Sequence, residues 1–498
     1  MTTKQYLQFS RGPIFGIIAS ASGKILQVNQ RNNKDDFVAV PACENILLWN
    51  LQTKEKHMVL NGEASAVTSL VTDHNHRNIA VGYANGMIRI FDLELNNCIL
   101  SFIGHKSAVS CLAYESEGSN LASGGKDSEI VIWNVTDQAG LYRLKGHKGP
   151  ISKVHFFQQE NILISSSKDT YIKLWDLDTQ HCFQTIVGTR HEILDFVIIK
   201  GTRLITGING EHLNVWDLLL SKEESSNLNR SKRIRLEVPS GEDDSEADNL
   251  HGDESEAKNE GATYVEVGKL ATLGNKTTFL FVDKTERLLG CHASTKVLQL
   301  FKILNSKEKA KKFRKRQKKE LKERRETDEE MLPNSLEIDP ALVDEFQALE
   351  PIQMSGKIDS FFINVDENDI AKIVVLLKNN SICQYKLDLK MRDHSAMLCH
   401  NIMLPGHRSF VRSLNYSTDN SLILSASEEA VKIWKSYKDE ETCTHTLKCD
   451  SALCSVLVTG NSHCIIGTKN GGLEIFDINA REMLESVQAH EGSVKCIT

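Results

Sequence analysis

Two stretches of the sequence, GHKSAVSCLAYESEGSNLASGGKDSEIVIWNV (residues 104–135) and GHKGPISKVHFFQQENILISSSKDTYIKLWDL (residues 146–177), carry one frame 42 residues apart. Each opens on Gly-His (Gly104-His105, Gly146-His147) and passes through a short apolar run and a turn holding Asp127 or Asp169. Each then closes on an alternating strand that ends in Trp133-Asn134 or Trp175-Asp176. Working outward, the same aromatic-Asp/Asn ending recurs at Trp49-Asn50, Phe91-Asp92 and Trp216-Asp217, with spacings of 42, 42, 42 and 41 along the series. Runs such as Ile130-Val131-Ile132-Trp133 and Ile172-Lys173-Leu174-Trp175 have the pattern of strands facing a core. A period of about 40 to 45 with these endings describes four short strands per unit.

The Gly-His and Trp-Asp signatures at this period resemble the WD-repeat family, which implies an all-β chain folded as a β-propeller. The resemblance also gives the polar residues a structural role. The turn Asp accepts from the imidazole, the imidazole meets a Ser hydroxyl, and the Ser meets the indole N–H, a chain that stabilises when every member is satisfied. Two units have the full set: His105, Ser123, Asp127, Trp133 and His147, Ser165, Asp169, Trp175. Elsewhere Glu63 and Thr189 stand at the His position, Asn85 and Gly210 at the Asp position, and His191 lies two residues beyond Thr189. A Ser/His/Asp set can suggest a hydrolase. The same residues recurring at the repeat period point instead to a structural network.

Counting units maps the chain. After Trp216, Phe301 and Tyr385 take the aromatic position, completing seven blades. A new series starts at Gly406-His407 with Trp434, where a turn holding Ser425 and Glu429 is one residue shorter. It continues to Phe476-Asp477, and a third unit opens at Ala489-His490. The reading is therefore a seven-bladed WD-repeat propeller over 1–395, followed by the first blades of a second, incomplete propeller over 396–498. Two blades and a strand cannot close a ring, so the expectation is a chain truncated at its C-terminal end.

Composition agrees with a folded chain. Its 498 residues correspond to two to four domains at about 100 to 200 residues each. Of these residues 40% are hydrophobic and 25% charged, with a net charge of −7 that by itself indicates no partner class. The longest apolar runs, such as Ile373 to Leu377, are strand-sized, and no membrane partner is expected. The N-terminus does not have the pattern of a signal peptide. Twelve cysteines without Cys-x-x-Cys pairs point to a reducing compartment and not to zinc. No phosphate loop is formed, since Gly125-Lys126, for one, has Asn120 where the first Gly belongs. His-Glu-x-x-His and Gly-x-Ser-x-Gly are absent, so no cofactor and no catalytic residue is expected. Cys291-His292 and His463-Cys464 sit within strand patterns and read as core residues.

Charge is concentrated in two inserts. Residues 221–262 hold 6 basic and 12 acidic side chains; residues 307–325 hold 12 basic and 3 acidic ones, and 326–350 hold 9 acidic and none basic. Within 304–352 the basic block has only Phe313 and Leu321 as large apolar residues. Lys311, Lys312, Arg314, Lys315, Arg316, Lys318 and Lys319 are the candidate residues for RNA phosphate contacts or for nuclear and nucleolar targeting. The competing reading is a solvated helix paired with the acidic block that follows it. A second basic cluster spans Asn229 to Arg235, and Ser245 and Ser255 stand in the acidic run 242–256 where phosphorylation would add charge.

Several segments narrow the resemblance: Thr3 to Leu7, Val38 to Glu44, Leu141 to His147, and above all Trp175-Asp176-Leu177-Asp178-Thr179-Gln180-His181-Cys182-Phe183. With the acidic and the Lys-rich inserts, these are similar to the WD repeat-containing protein three family, whose yeast member is called Dip-two. That resemblance implies a non-catalytic scaffold of the small-subunit processome, associated with other UTP-B WD-repeat proteins and the U3 small nucleolar ribonucleoprotein in the nucleolus. It implies a role in small-subunit ribosomal RNA maturation. The alternative is a generic WD-repeat interaction adaptor in signalling or ubiquitin ligation.

Overall fold

Nine antiparallel sheets follow one another along the described residues, each built from consecutive strands. In the computed structural model these residues are 18–20, 24–28, 36–63, 65–157, 161–187, 190–219, 263–274, 276–293, 295–326, 342–391, 395–403, 406–407, 410–437, 440–458 and 460–497. Blade 3 is representative, with strands Val109–Tyr114, Asn120–Gly125, Ile130–Asn134 and Ala139–Leu144 paired in that order. Its second and third strands are packed on both faces and buried almost throughout, whereas the fourth is mostly exposed. This is why the third strand shows a strong apolar signature and the fourth a weak one.

Every aromatic residue of the repeat lies on a third strand. At Trp49, Phe91, Trp133, Trp175, Trp216, Tyr385, Trp434 and Phe476, the pairing with the fourth strand slips by one residue immediately before the aromatic. A bulge of this kind bends and twists a sheet locally, so the repeat of the aromatic is also a repeat of blade shape. In blade 6 the equivalent place is a break. Phe301 pairs with Ala348 on one short piece, Phe346–Ala348, and Val297 and Leu298 pair with a second piece, Ile352–Gln353.

Hydroxyls at one position of the inner strands join neighbouring blades. Thr68 Oγ1 donates to Gly82 O of its own blade or to Val109 O of the next, at 2.9 and 2.6 Å. Ser110 repeats the arrangement with Gly124 O and Ile151 O, 42 residues later. Blades 7 and 1 close the ring by side-chain packing: Phe362, Val374, Leu376, Ile382 and Ile402 share a core with Val38, Val40, Leu47 and Trp49. Polar contacts seal it. Ser360 Oγ accepts from Ile25 N at 3.0 Å, Asn380 Oδ1 from Ile18 N at 2.7 Å, and Lys372 meets Asp36 at 3.0 Å.

The boundary drawn at 395/396 requires correction. The fourth strand of blade 7 is Met397–Met403, paired with Ser381–Asp388, so the division cuts through a blade. The repeat in the sequence is offset from the sheet: the outer strand of one blade precedes the Gly-His of the next. The two inserts lie inside blades 5 and 6, between third and fourth strands. One joins His212–Leu219 to Thr263–Ala271 and the other follows Val297–Ile303. Blades 8 and 9 pack through Leu424, Ala426, Val431, Ile433, Ala452 and Ile466. Leu414 and Tyr416 on the inner strand of blade 8, and Phe410 just before it, remain exposed.

Candidate functional site

The two complete polar sets assemble as the repeat implies. His105 Nε2 lies 2.8 Å from Ser123 Oγ, which accepts from Trp133 Nε1 at 2.8 Å, while His105 Nδ1 is 3.1 Å from both oxygens of Asp127. In blade 4, His147 meets Ser165 and Asp169 at 2.8 Å each, and Trp175 Nε1 donates to Ser165 at 2.8 Å. Lys106 and Lys148 donate backbone N–H groups to the two carboxylates. Burial pushes Asp127 and Asp169 upward, but these N–H bonds and the imidazoles outweigh it, and both sit below the usual carboxylate range. Burial lowers His147 below its ordinary value despite the adjacent carboxylate. Ser123 and Ser165 are fully buried with their hydroxyls engaged, so neither can reach a substrate carbonyl.

A third network was legible only in part, because the sequence marks His407, Ser425 and Trp434 but not Ser427. His407 Nε2 meets Ser425 Oγ at 2.6 Å, Trp434 Nε1 donates to the same oxygen at 2.8 Å, and Ser427 takes the place of the turn Asp at 2.8 Å from Nδ1. The shortened turn removes the Asp register and brings a strand hydroxyl to the imidazole. With burial dominant and no carboxylate partner at Nδ1, His407 is pushed down to about 4. The incomplete blades differ. Trp49 and Trp216 have buried indole N–H groups with no acceptor among the described residues. In blade 1 Val40 stands at the Ser position, and in blade 5 Thr206 Oγ1 turns to Asn214 O. His191 is exposed and does not reach Trp216. Thr189 lies outside the described residues. In blade 2, Glu63 pairs with Arg89. Cys291 and His292 are both buried, and burial drives the thiol up to about 12 and the imidazole down to about 4.

The basic insert is a helix, α1 (Ser306–Glu326), followed by a single turn, α2 (Leu342–Glu345). Successive residues advance about 100° around a helix, so Lys309, Lys312 and Arg316 share one face. All three engage α2: Lys309 pairs with Glu345 at 3.5 Å, Lys312 Nζ donates to Val343 O at 2.6 Å, and Arg316 pairs with Asp344 at 2.9 Å. Asp344 and Glu345 are buried, and Glu345 also meets Arg203 of blade 5 at 3.3 Å. Leu342 packs on Gly268 of the same blade. The pairing with the acidic block that the sequence suggested is thus present, and it uses one face. The opposite face carries Lys307, Lys311, Arg314, Lys315 and Lys318, all exposed. Of the seven candidate residues, Lys312 and Arg316 anchor the helix and Lys311, Arg314, Lys315 and Lys318 point away from the anchor; Lys319 is exposed beside them. The cluster 229–235 and the acidic run 242–256 lie outside the described residues.

All twelve cysteines are free, and no group of three or more metal-binding side chains comes together among the described residues. No described helix is long and apolar enough to cross a membrane.

Residues 36–218 match the family model described as the WDR3 first beta-propeller domain, and 399–435 match the WD domain, G-beta repeat. The second match begins in the outer strand of blade 7, the same offset of repeat against sheet described above. The chain is 42% identical to WD repeat-containing protein 3 of Homo sapiens, over 99% of this chain and 53% of that protein. The Mus musculus protein gives 42% over 99% and 52%. U3 small nucleolar RNA-associated protein 12 of Saccharomyces cerevisiae is 27% identical over 44% of this chain and 22% of its own length. The chain spans about half the length of the human and mouse relatives. With similarity along 99% of its length and the WDR3 propeller model over 36–218, the chain belongs to the WD repeat-containing protein 3 family.

Proposed function

We propose that this chain is a non-catalytic scaffold of ribosome biogenesis, acting in the small-subunit processome in the nucleolus. The observation that carries the reading is similarity along 99% of the chain to WD repeat-containing protein 3, together with a yeast relative named for its association with U3 small nucleolar RNA. Its partners are other UTP-B WD-repeat proteins and the U3 small nucleolar ribonucleoprotein. The geometry supports a scaffold. The Ser/His/Asp groups are consumed inside blades, and the helix of the second insert keeps one cationic face exposed. Affinity purification of the protein from growing cells tests this: U3 small nucleolar RNA and small-subunit ribosomal RNA precursors are expected in the eluate. Their absence, with signalling or ubiquitin-ligase components in their place, would replace the reading with that of a generic adaptor.

A further inference from the structure

We propose that α1 is a two-faced element that anchors itself to the propeller by one cationic face and holds the phosphate backbone of an RNA strand on the other. Lys309, Lys312 and Arg316 are half-buried against α2, whereas Lys307, Lys311, Arg314, Lys315 and Lys318 point the opposite way and form no ion pair among the described residues. The five span 12 residues, 11 steps or about 16 Å along the axis. The helix has 12 basic and 4 acidic residues in all, so a surface of one sign persists after docking.

The chemistry of the outward face selects the ligand. Its other groove-lining residue is Ala310, and the one aromatic of the segment, Phe313, is half-buried and stacked with Arg316 at 5.6 Å. A protein partner would need an apolar centre to its interface, and this face offers none. A row of flexible ammonium groups with one guanidinium fits a regular lattice of charge, which a phosphate backbone supplies without base readout. The anchor adds pre-organisation: the buried Asp344 and Glu345 fix the inner face, so the cations are presented on a docked rod. The ribosome-biogenesis reading enters only in the choice of RNA as the polyanion.

The test uses the full 498-residue chain and a labelled single-stranded oligouridine, with affinity measured by fluorescence anisotropy across a KCl series. Five phosphate contacts give a slope of log K against log salt of about −3.5, a loss of about 100-fold between 50 and 200 mM; two contacts give about −1.4 and a loss of about sevenfold. K311Q/R314Q/K315Q is expected to move the slope from the first value toward the second. A variant of equal charge change elsewhere, K54Q/K106Q/K148Q, is expected to keep the wild-type slope. Circular dichroism confirms that both variants fold. Absence of RNA binding by the wild-type chain, or a slope that the triple variant leaves unchanged, overturns the proposal. Either result leaves the scaffold reading standing if U3 small nucleolar RNA still co-purifies.

Discussion

Arg316 reaches Asp344 at 2.9 Å, and the carboxylate it meets is only 2% exposed. A basic helix that would be solvated by its composition is thereby fixed to a β-propeller. Removing Asp344 and Glu345 takes away the partners of Arg316 and Lys309, and the loss falls on docking rather than on the blades. D344A/E345A is expected to accelerate amide exchange across residues 306–318 while the strands of blades 1–4 keep their protection. Unchanged exchange in the helix would show that the anchor lies elsewhere.

The blade networks predict a ranking of substitutions. His147→Ala leaves Asp169 and Ser165 without their shared partner and is expected to cost about 1–3 kcal/mol. Trp175→Phe breaks a satisfied indole bond, whereas Trp216→Phe removes a donor that has no acceptor among the described residues. The first should therefore cost about 1 kcal/mol more than the second. Urea denaturation of the three variants measures this, and equal losses for the two Trp variants would contradict the assigned networks.

Ring closure is testable at Asn380, whose Oδ1 accepts from Ile18 N and Ala19 N at 2.7 and 3.2 Å. Asn380→Ala is expected to destabilise the first propeller by about 1–3 kcal/mol. Limited proteolysis should show the segment around Ile18 cut first; protection equal to wild type would mean that packing alone holds blades 1 and 7.

Stability should fall in acid before the carboxylates titrate. His292 and His407 are both pushed down to about 4 by burial, and His147 is lowered. A histidine lowered in the folded state gains its proton on unfolding, so its contribution is whole above pH 6.5 and is lost between there and about 4. Asp127 and Asp169, held low in the fold, act below that window. The urea midpoint should decline from pH 6.5 to 4.5. A flat midpoint over that range would contradict the buried neutral imidazoles.

Much of this architecture is legible in the residues, for reasons the structure makes plain. Third strands are packed on both sides, so Trp133 and Trp175 stand in dense apolar runs that keep their spacing. Fourth strands lie at the rim, and Met397–Met403, with most of its residues exposed, has no alternation to mark it. That is why the sequence divides blade 7 in the wrong place. Ser427 escapes notice because one missing turn residue replaces an Asp with a hydroxyl from the strand. The two faces of α1 depend on which cations meet Asp344 and Glu345 across a long connection, a pairing that local charge counting does not contain.

The proposed role joins a docked cationic helix to a scaffold of ribosome assembly. Ultraviolet cross-linking of the protein in growing cells, with the linked peptides and RNAs identified together, tests it most directly. Linked peptides should cover residues 307–318, and the attached RNA should be U3 small nucleolar RNA or small-subunit ribosomal RNA precursor. Cross-links confined to other surfaces, or to RNAs unrelated to the small subunit, would contradict it.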